Sequence, residues 1–140
     1  AIGATFAEKE RPVCLFLGDG GLQMTIQEFG TIMENKCPVK IVLLNNNFLG
    51  NVRQWQNMFF DRRYAFTHML NPDYQAISRG YGIPFERVTD RNDLKAAVER
   101  MLATDGPFFL ETVIKEEDDI MPMTVPGASV NEMMLERNNY

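Results

Sequence analysis

Apolar runs alternate along the chain with segments whose apolar residues recur at helical spacing. The runs are too continuous for strands with one face in water, which favours strands that are buried on both faces. The predicted strands span residues 13–17, 39–44, 85–88 and 107–114.

The helical segments lie between these strands. After the first strand, apolar residues share one helix face: Leu22, Ile26, Phe29 and Met33. Further helices are predicted over 51–60, over 72–79 with Asn71 as the N-cap, and from a cap at Thr89 or Asp90 to near Gly106. Strands alternating with helices predict an α/β fold with three layers, a parallel sheet with helices on both faces, in one domain over residues 1–140. The strand order does not follow from this pattern.

Composition and charge narrow the classes of function. The longest uninterrupted apolar run, residues 13–17, is far shorter than the roughly 20 residues that cross a bilayer, so we expect no membrane span. The formal net charge is -5, with scattered basic residues, so we expect no nucleic-acid partner. Cys14 and Cys37 are predicted to be buried thiols, which favours a reducing, cytoplasmic setting.

Two strand ends carry the candidate chemistry, because ligands of parallel sheets bind beyond the carboxyl ends of the strands. The first strand ends in Gly18-Asp19-Gly20-Gly21 and the second in Asn45-Asn46-Asn47. The glycines permit a bulky anion to approach backbone amides. A divalent cation between Asp19 and a diphosphate would remove their repulsion, and Asn46 would offer it a second, neutral oxygen. Each motif alone is most often a simple turn; the two together favour a site.

The spacing of these motifs resembles the signature that binds thiamine diphosphate and Mg²⁺ in thiamine-dependent enzymes. Gly18-Asp19-Gly20 is followed by 24 residues and then by Asn45-Asn46. Three longer segments are similar to the C-terminal domain of the acetolactate synthase (acetohydroxyacid synthase) large subunit family: GDGGLQMTIQEFGTI, PVKIVLLNNNFLGNVRQWQ and MPMTVPGAS. The resemblance runs from Ala1 to about Glu136 and implies the thiamine diphosphate-binding fold.

The resemblance implies a role for each residue of the motif. Asp19, Asn46 and the backbone carbonyl of Phe48 would bind the metal. Amides near the diphosphate would come from the two glycine-containing turns, which comprise Gly18, Gly20, Gly21, Leu49 and Gly50.

The resemblance also implies a substrate side. Trp55 would line the channel and favour 2-ketobutyrate over pyruvate, although a tryptophan in such a helix is otherwise a core residue. Asn51 departs from the family pattern, where this position is commonly apolar, and would make the pocket wetter. Residues 115–140 would form a flexible tail that covers the active site, although the same stretch could be a surface tail.

The family places the glutamate that activates the cofactor on a separate N-terminal domain. We therefore expect no catalytic residue in this chain and no synthase activity from it alone. The resemblance implies 2-oxo acid substrates, a second large subunit in a homodimer or tetramer, a small regulatory subunit, and room for FAD in the longer enzyme. The alternatives are another thiamine-dependent 2-oxo acid decarboxylase or oxidase, and a noncatalytic module that keeps the fold.

Overall fold

A computed structural model describes residues 1–116, 119–125 and 127–136. Glu117 and Asp118, Pro126 and residues 137–140, all in the predicted tail, lie outside the described residues. No helix in the described part of the chain is long and apolar enough to cross a bilayer.

Four parallel strands form the central sheet in the order β1-β2-β4-β3. They are β1 (Val13–Gly18), β2 (Val39–Asn45), β3 (Phe85–Val88) and β4 (Phe108–Val113). The helices are α1 (Ile2–Ala7), α2 (Asp19–Thr25), α3 (Glu28–Asn35), α4 (Gly50–Phe59), α5 (Tyr74–Gly80) and α6 (Leu94–Ala103). The predicted strands and the parallel α/β class are confirmed, and α1 is an addition.

Side chains leave the central strands alternately toward two apolar layers, as the pleat requires. Ile41 and Leu43 face a layer formed with α2, α3 and α5, whereas Val42 faces a layer formed with α6. Helices therefore pack on both faces of the sheet, which confirms the three-layer prediction.

The first strand is more exposed than its sequence suggested. Cys14 and Phe16 are exposed, because α6 packs over β3 and β4 and leaves this face of β1 open. The prediction of a buried thiol is therefore wrong for Cys14. It is confirmed for Cys37.

Two helix predictions need correction. The segment after β1 is not one helix, since residues 26–27 form a turn between α2 and α3. The α5 helix begins at Tyr74, and its N-cap is Asp73, whose carboxylate accepts a hydrogen bond from the Ala76 amide. Asn71 is therefore not the cap; its side chain points toward the end of β1. Asp90 caps the short 3₁₀ turn Arg91–Asp93 before α6, as one of the two predicted candidates.

The described part of the predicted tail contains a short antiparallel pair. Strand β5 (Met123–Thr124) lies beside β6 (Met133–Met134). The segment before it is held on α4 by the side chain of Gln54, which is buried. Gln54 Nε2 donates to the Ile120 carbonyl, and its Oε1 accepts from the Ile120 amide, both at 2.9 Å.

The register of the parallel strands places their carboxyl ends together. Gly18 pairs with Leu44, and Leu44 pairs in turn with Thr112 on β4. The residues that follow β1 and β2 therefore emerge side by side at one edge of the sheet.

We predict that Phe109→Ala lowers the free energy of unfolding by about 3–5 kcal/mol. Phe109 is fully buried and makes edge-to-face contacts with the rings of Phe29, Tyr74 and Phe85. Phe66 is 99% exposed, so Phe66→Ala should change stability by less than about 0.5 kcal/mol. Urea unfolding monitored by circular dichroism measures both, and equal losses would contradict this account of the core.

Candidate functional site

An open cleft of about 360 Å³ lies beyond the carboxyl ends of β1 and β2. Its walls come from the turn after β1, the loop after β2 and the start of α4. The lining residues are Gly18, Asp19, Gly20, Gly21, Leu44, Asn46, Phe48, Leu49, Gly50, Asn51, Val52 and Ile114.

Among the described residues that line the cleft, Asp19 alone carries a carboxylate, and it is the first residue of α2. Because α2 begins directly after β1, Asp19 is fixed at the strand end and is only 1% exposed. Its Oδ1 accepts a long hydrogen bond of 3.2 Å from the Gly20 amide. Its Oδ2 accepts a shorter one of 2.7 Å from Asn71 Nδ2.

Asn71 connects the two strand ends. Its amide nitrogen lies within hydrogen-bond distance of three side-chain oxygens. These are Asp19 Oδ2 at 2.7 Å, Asn45 Oδ1 at 2.8 Å and Asn47 Oδ1 at 3.1 Å.

Two donors hold the other end of the Asn71 amide. Gln23 Nε2 donates to Asn71 Oδ1 at 2.7 Å, and the Tyr74 hydroxyl donates to the same oxygen at 3.1 Å. Burial is the main cause that raises the pKa of Tyr74 to about 12; a hydrogen bond from Gln23 opposes this rise, and the negative charges of Asp19 and Glu111 contribute to it. The phenol therefore stays protonated and remains a donor at neutral pH.

The hydrogen bonds continue from Asn71 into the sheet. Asn45 Nδ2 donates to Glu111 Oε1 at 2.7 Å, and Arg87 Nε donates to Glu111 Oε2 at 2.6 Å. Glu111 is 1% exposed, so both donors compensate a carboxylate that water does not reach. We call Asp19, Asn71, Asn45, Glu111 and Arg87 the polar network.

The loop after β2 has a defined backbone. Asn46 Oδ1 accepts from the Phe48 amide at 3.2 Å, and Asn47 adopts a left-handed conformation with φ 58°, which asparagine tolerates well. Two backbone hydrogen bonds to Thr67 and Met69 hold the loop in place. The Leu49 amide donates to the Thr67 carbonyl, and the Met69 amide donates to the Asn47 carbonyl, both at 2.8 Å.

These contacts decide which backbone groups of the loop are free for a ligand. Phe48 forms an antiparallel bridge with His68. The hydrogen bonds of this bridge are made by the Asn47 carbonyl and the Leu49 amide, on either side of Phe48, and not by Phe48 itself. The Phe48 carbonyl is therefore on the opposite side from the bridge. The Leu49 amide, in contrast, is engaged by Thr67, so it does not point at a diphosphate in this conformation. Leu49 lines the cleft without that donor.

Close packing leaves little room for a side chain at position 20. A Cβ added to Gly20 would lie 2.6 Å from Leu49 Cδ2 and 3.3 Å from Met69 Sδ, whereas one added to Gly21 would meet nothing within 4 Å. The Leu49 and Met69 side chains thus pack directly against the turn after β1, and any side chain at position 20 would displace them.

The structure brings nine of the ten predicted site residues to this cleft, and the exception is Trp55. Trp55 lies one turn further along α4, half-buried, with its ring 5.2 Å from that of Phe59. Asn51 lines the cleft and is exposed.

The donor set fits a small hard cation. Asp19, Asn46 and the Phe48 carbonyl all offer oxygen, the ligand type that Mg²⁺ takes. No group of three His, Cys, Asp or Glu side chains that could hold a metal occurs among residues 1–116, 119–125 and 127–136. Any metal in this cleft would therefore complete its shell from neutral oxygens, water and a ligand.

Sequence reasoning missed four of the five residues of the polar network, namely Asn71, Asn45, Glu111 and Arg87. Asn71 was interpreted as a helix cap, and Asn45 only as part of a turn. Glu111 carried a usable signal, because a charged residue in the apolar run Phe108–Val113 has to find a partner when it is buried. The partners themselves are distant in sequence, so no local pattern identifies them.

Comparison with known families gives a match over most of the chain. The model of the thiamine pyrophosphate enzyme C-terminal TPP binding domain matches residues 1–112. The chain is 41% identical over 135 residues to the acetolactate synthase isozyme 2 large subunit of Escherichia coli K12, covering 96% of this chain and 25% of that protein. It is 38% identical over 136 residues to the acetolactate synthase large subunit of Cyanidium caldarium, covering 96% and 23%.

A solved structure agrees with this match. The thiamine diphosphate-dependent 4-hydroxybenzoylformate decarboxylase of Rhodococcus jostii RHA1 is similar with a TM-score of 0.75 and 28% identity. The similarity covers 84% of this chain and 23% of that one. This chain thus spans about a quarter of the length of the curated relatives that it matches.

We predict that Arg87→Met lowers the free energy of unfolding by about 1–3 kcal/mol, because it leaves the buried Glu111 carboxylate with Asn45 as its remaining network donor. Arg100→Met is the matched control, since Arg100 pairs with the more exposed Glu86, and should cost less than about 1 kcal/mol. Chemical denaturation measures both. A smaller loss for Arg87→Met than for Arg100→Met would contradict the importance of the buried pair.

Proposed function

The chain belongs to the thiamine pyrophosphate enzyme family as its C-terminal TPP-binding domain, and from this we propose that it is the cofactor-binding domain of an acetolactate synthase large subunit. Identity of 35–41% to acetolactate synthases over nearly the whole chain supports this choice within the family. The observation that carries the proposal is the cleft that Asp19 and Asn46 both line, at the ends of neighbouring parallel strands.

In this proposal Mg²⁺ is held by three oxygens of the chain, from the Asp19 carboxylate, the Asn46 side chain and the Phe48 carbonyl. The cation would offset the repulsion between Asp19 and the cofactor's diphosphate. A second carboxylate in place of Asn46 would compete with the diphosphate for the metal's charge. The Phe48 carbonyl takes no part in the hydrogen bonds of the bridge to His68, which supports its assignment as the third metal ligand.

The diphosphate would be held mainly by backbone groups. Gly18, Gly20 and Gly21 present a turn without side chains, and α4 begins at Gly50. The first amides of α4 have no intrahelical carbonyl to bond, so they are available to an anion. Leu49 would contribute apolar contact only, because its amide is engaged by Thr67.

Thiamine diphosphate would supply the chemistry of decarboxylation and carbon–carbon bond formation on 2-oxo acids. The residues of this chain would bind and orient its diphosphate end. The parent reaction that we propose joins the two-carbon unit of pyruvate to a second pyruvate or to 2-ketobutyrate, in branched-chain amino acid biosynthesis.

We place the substrate side at the start of α4. Asn51 lines the cleft beside the cofactor turns, and its amide would bind water or a carboxylate there. Trp55 is one turn beyond the cleft, so it would meet substrate only in a channel completed by other parts of the protein.

The remaining parts of the proposal concern the longer protein. A second large subunit, N-terminal domains and a small regulatory subunit would complete the enzyme, with FAD as a further cofactor of the parent. The single domain would extend over residues 1–140, with residues 115–140 as the covering tail. The hydrogen bonds between Gln54 and Ile120 hold the start of this tail against α4, which supports its proposed position. A cytoplasmic location stays a prediction.

We predict that Asp19→Asn weakens Mg²⁺-dependent binding of thiamine diphosphate on the order of a hundredfold, because the cation loses its charged ligand. Asp61→Asn is the matched control, since the Asp61 side chain is 90% exposed, and it should bind like the parent chain. Isothermal titration calorimetry with cofactor, at fixed and at varied Mg²⁺, measures both. Equal affinity of Asp19→Asn and the parent chain would contradict the site.

We predict that Trp55→Leu, in the full-length enzyme, reduces the preference for 2-ketobutyrate over pyruvate by about tenfold, because one methylene against an indole face is worth on the order of 1–3 kcal/mol. Competition between the two substrates, followed by the ratio of the two acetohydroxy acid products, measures this preference. An unchanged ratio would contradict the substrate role of Trp55.

A thiamine-dependent 2-oxo acid decarboxylase is the second candidate, because the similar solved structure is a 4-hydroxybenzoylformate decarboxylase. The product distinguishes the candidates. An acetolactate synthase condenses two 2-oxo acids, whereas a decarboxylase releases an aldehyde.

A further inference from the structure

We propose that Asn71 is the positioning residue of the metal site, which sets the Asp19 carboxylate and the loop after β2 in the arrangement that the cation and the diphosphate require. This inference deepens the proposed function and depends on it. Its basis is the position of the Asn71 amide between the two strand ends, within 3.1 Å of side-chain oxygens from both.

The hydrogen-bond capacity of Asn71 is fully used. An amide nitrogen carries two hydrogens, and three oxygens surround this one, so at least one hydrogen is shared. The amide oxygen accepts two hydrogen bonds, from Gln23 and Tyr74. Rotation of the amide by 180° would put the oxygen against the Asp19 carboxylate and would break both of these bonds. The nitrogen is therefore held toward Asp19.

The contact leaves Asp19 able to bind a metal. A carboxylate has about four lone-pair sites, and Asn71 takes one on Oδ2. The other contact, from the Gly20 amide to Oδ1, is long at 3.2 Å. Asn71 thus fixes the rotamer of the side chain without neutralising its charge, so the cation does not have to order it.

The same segment also sets the third predicted ligand. Residues 67–69 pair with the loop after β2 and leave the Phe48 carbonyl on the side away from the bridge. Two residues later, the Asn71 side chain contacts Asn47 in that loop and Asp19 across the cleft edge. Residues 67–71 therefore position two of the three predicted metal ligands, the Phe48 carbonyl and Asp19. Asp73, and not Asn71, caps α5.

The test is cofactor binding by Asn71→Ala, measured by calorimetry rather than by activity. We expect thiamine diphosphate to bind 10- to 100-fold more weakly at fixed Mg²⁺, and half-maximal binding to require more Mg²⁺. Ser78→Ala is the matched control, because Ser78 on α5 donates a buried hydrogen bond of 2.7 Å to the Ile83 carbonyl and neither residue lines the cleft. It should lose stability yet keep cofactor affinity within about twofold.

A second variant keeps Asn71 in place. Gln23→Leu removes one of the two donors that orient its amide and should weaken binding by about threefold to tenfold. If Asn71→Ala does not fold, Gln23→Leu decides the question by the same titration.

The outcomes separate this inference from the proposed function. If the parent chain shows no Mg²⁺-dependent binding of the cofactor, the proposed function fails. If the parent chain binds but Asn71→Ala binds equally well, or more tightly because a competitor of the metal is gone, the role of Asn71 fails alone. Equal losses of cofactor affinity in Asn71→Ala and Ser78→Ala would show that Asn71 has only a structural role, and would overturn the inference.

Discussion

The burial of a carboxylate at the end of β1 is the constraint on which the site depends. Asp19 is fixed there because a helix begins immediately after the strand, and burial would be costly without donors. The Asn71 amide donates a hydrogen bond to the buried carboxylate and also one to Asn45 at the end of the neighbouring strand. The chemistry of the cleft and the folding of its walls therefore depend on the same hydrogen bonds.

The polar network extends this dependence into the sheet. From Asn71 it passes through Asn45 to Glu111 on β4 and then to Arg87 on β3. Strands β1 and β3 lie at opposite edges of the sheet, so the network spans all four strands at their carboxyl ends. Polar groups that satisfy one another in this way favour one arrangement of the strand ends, because partial arrangements leave buried groups without partners.

Local patterns were sufficient for most of the elements and for nine of the ten residues predicted to line the site. The period of the apolar residues predicted the strands, and the glycines around Asp19 with the asparagines after β2 predicted which two strand ends would meet. Local patterns were insufficient where contacts with residues distant in sequence determine the position or the burial of a side chain. Asn71 has the sequence of a helix cap, and only tertiary contacts turn it toward Asp19. The exposure of Cys14 likewise depends on how far α6 extends over the sheet.

The most direct test of the central claim is a crystal structure with thiamine diphosphate and Mn²⁺ in place of Mg²⁺, with anomalous diffraction used to locate the metal. The account predicts an anomalous peak within coordination distance of oxygens from Asp19 and Asn46 and of the Phe48 carbonyl, with the diphosphate beside it. A metal bound elsewhere, or a diphosphate outside this cleft, would contradict the account.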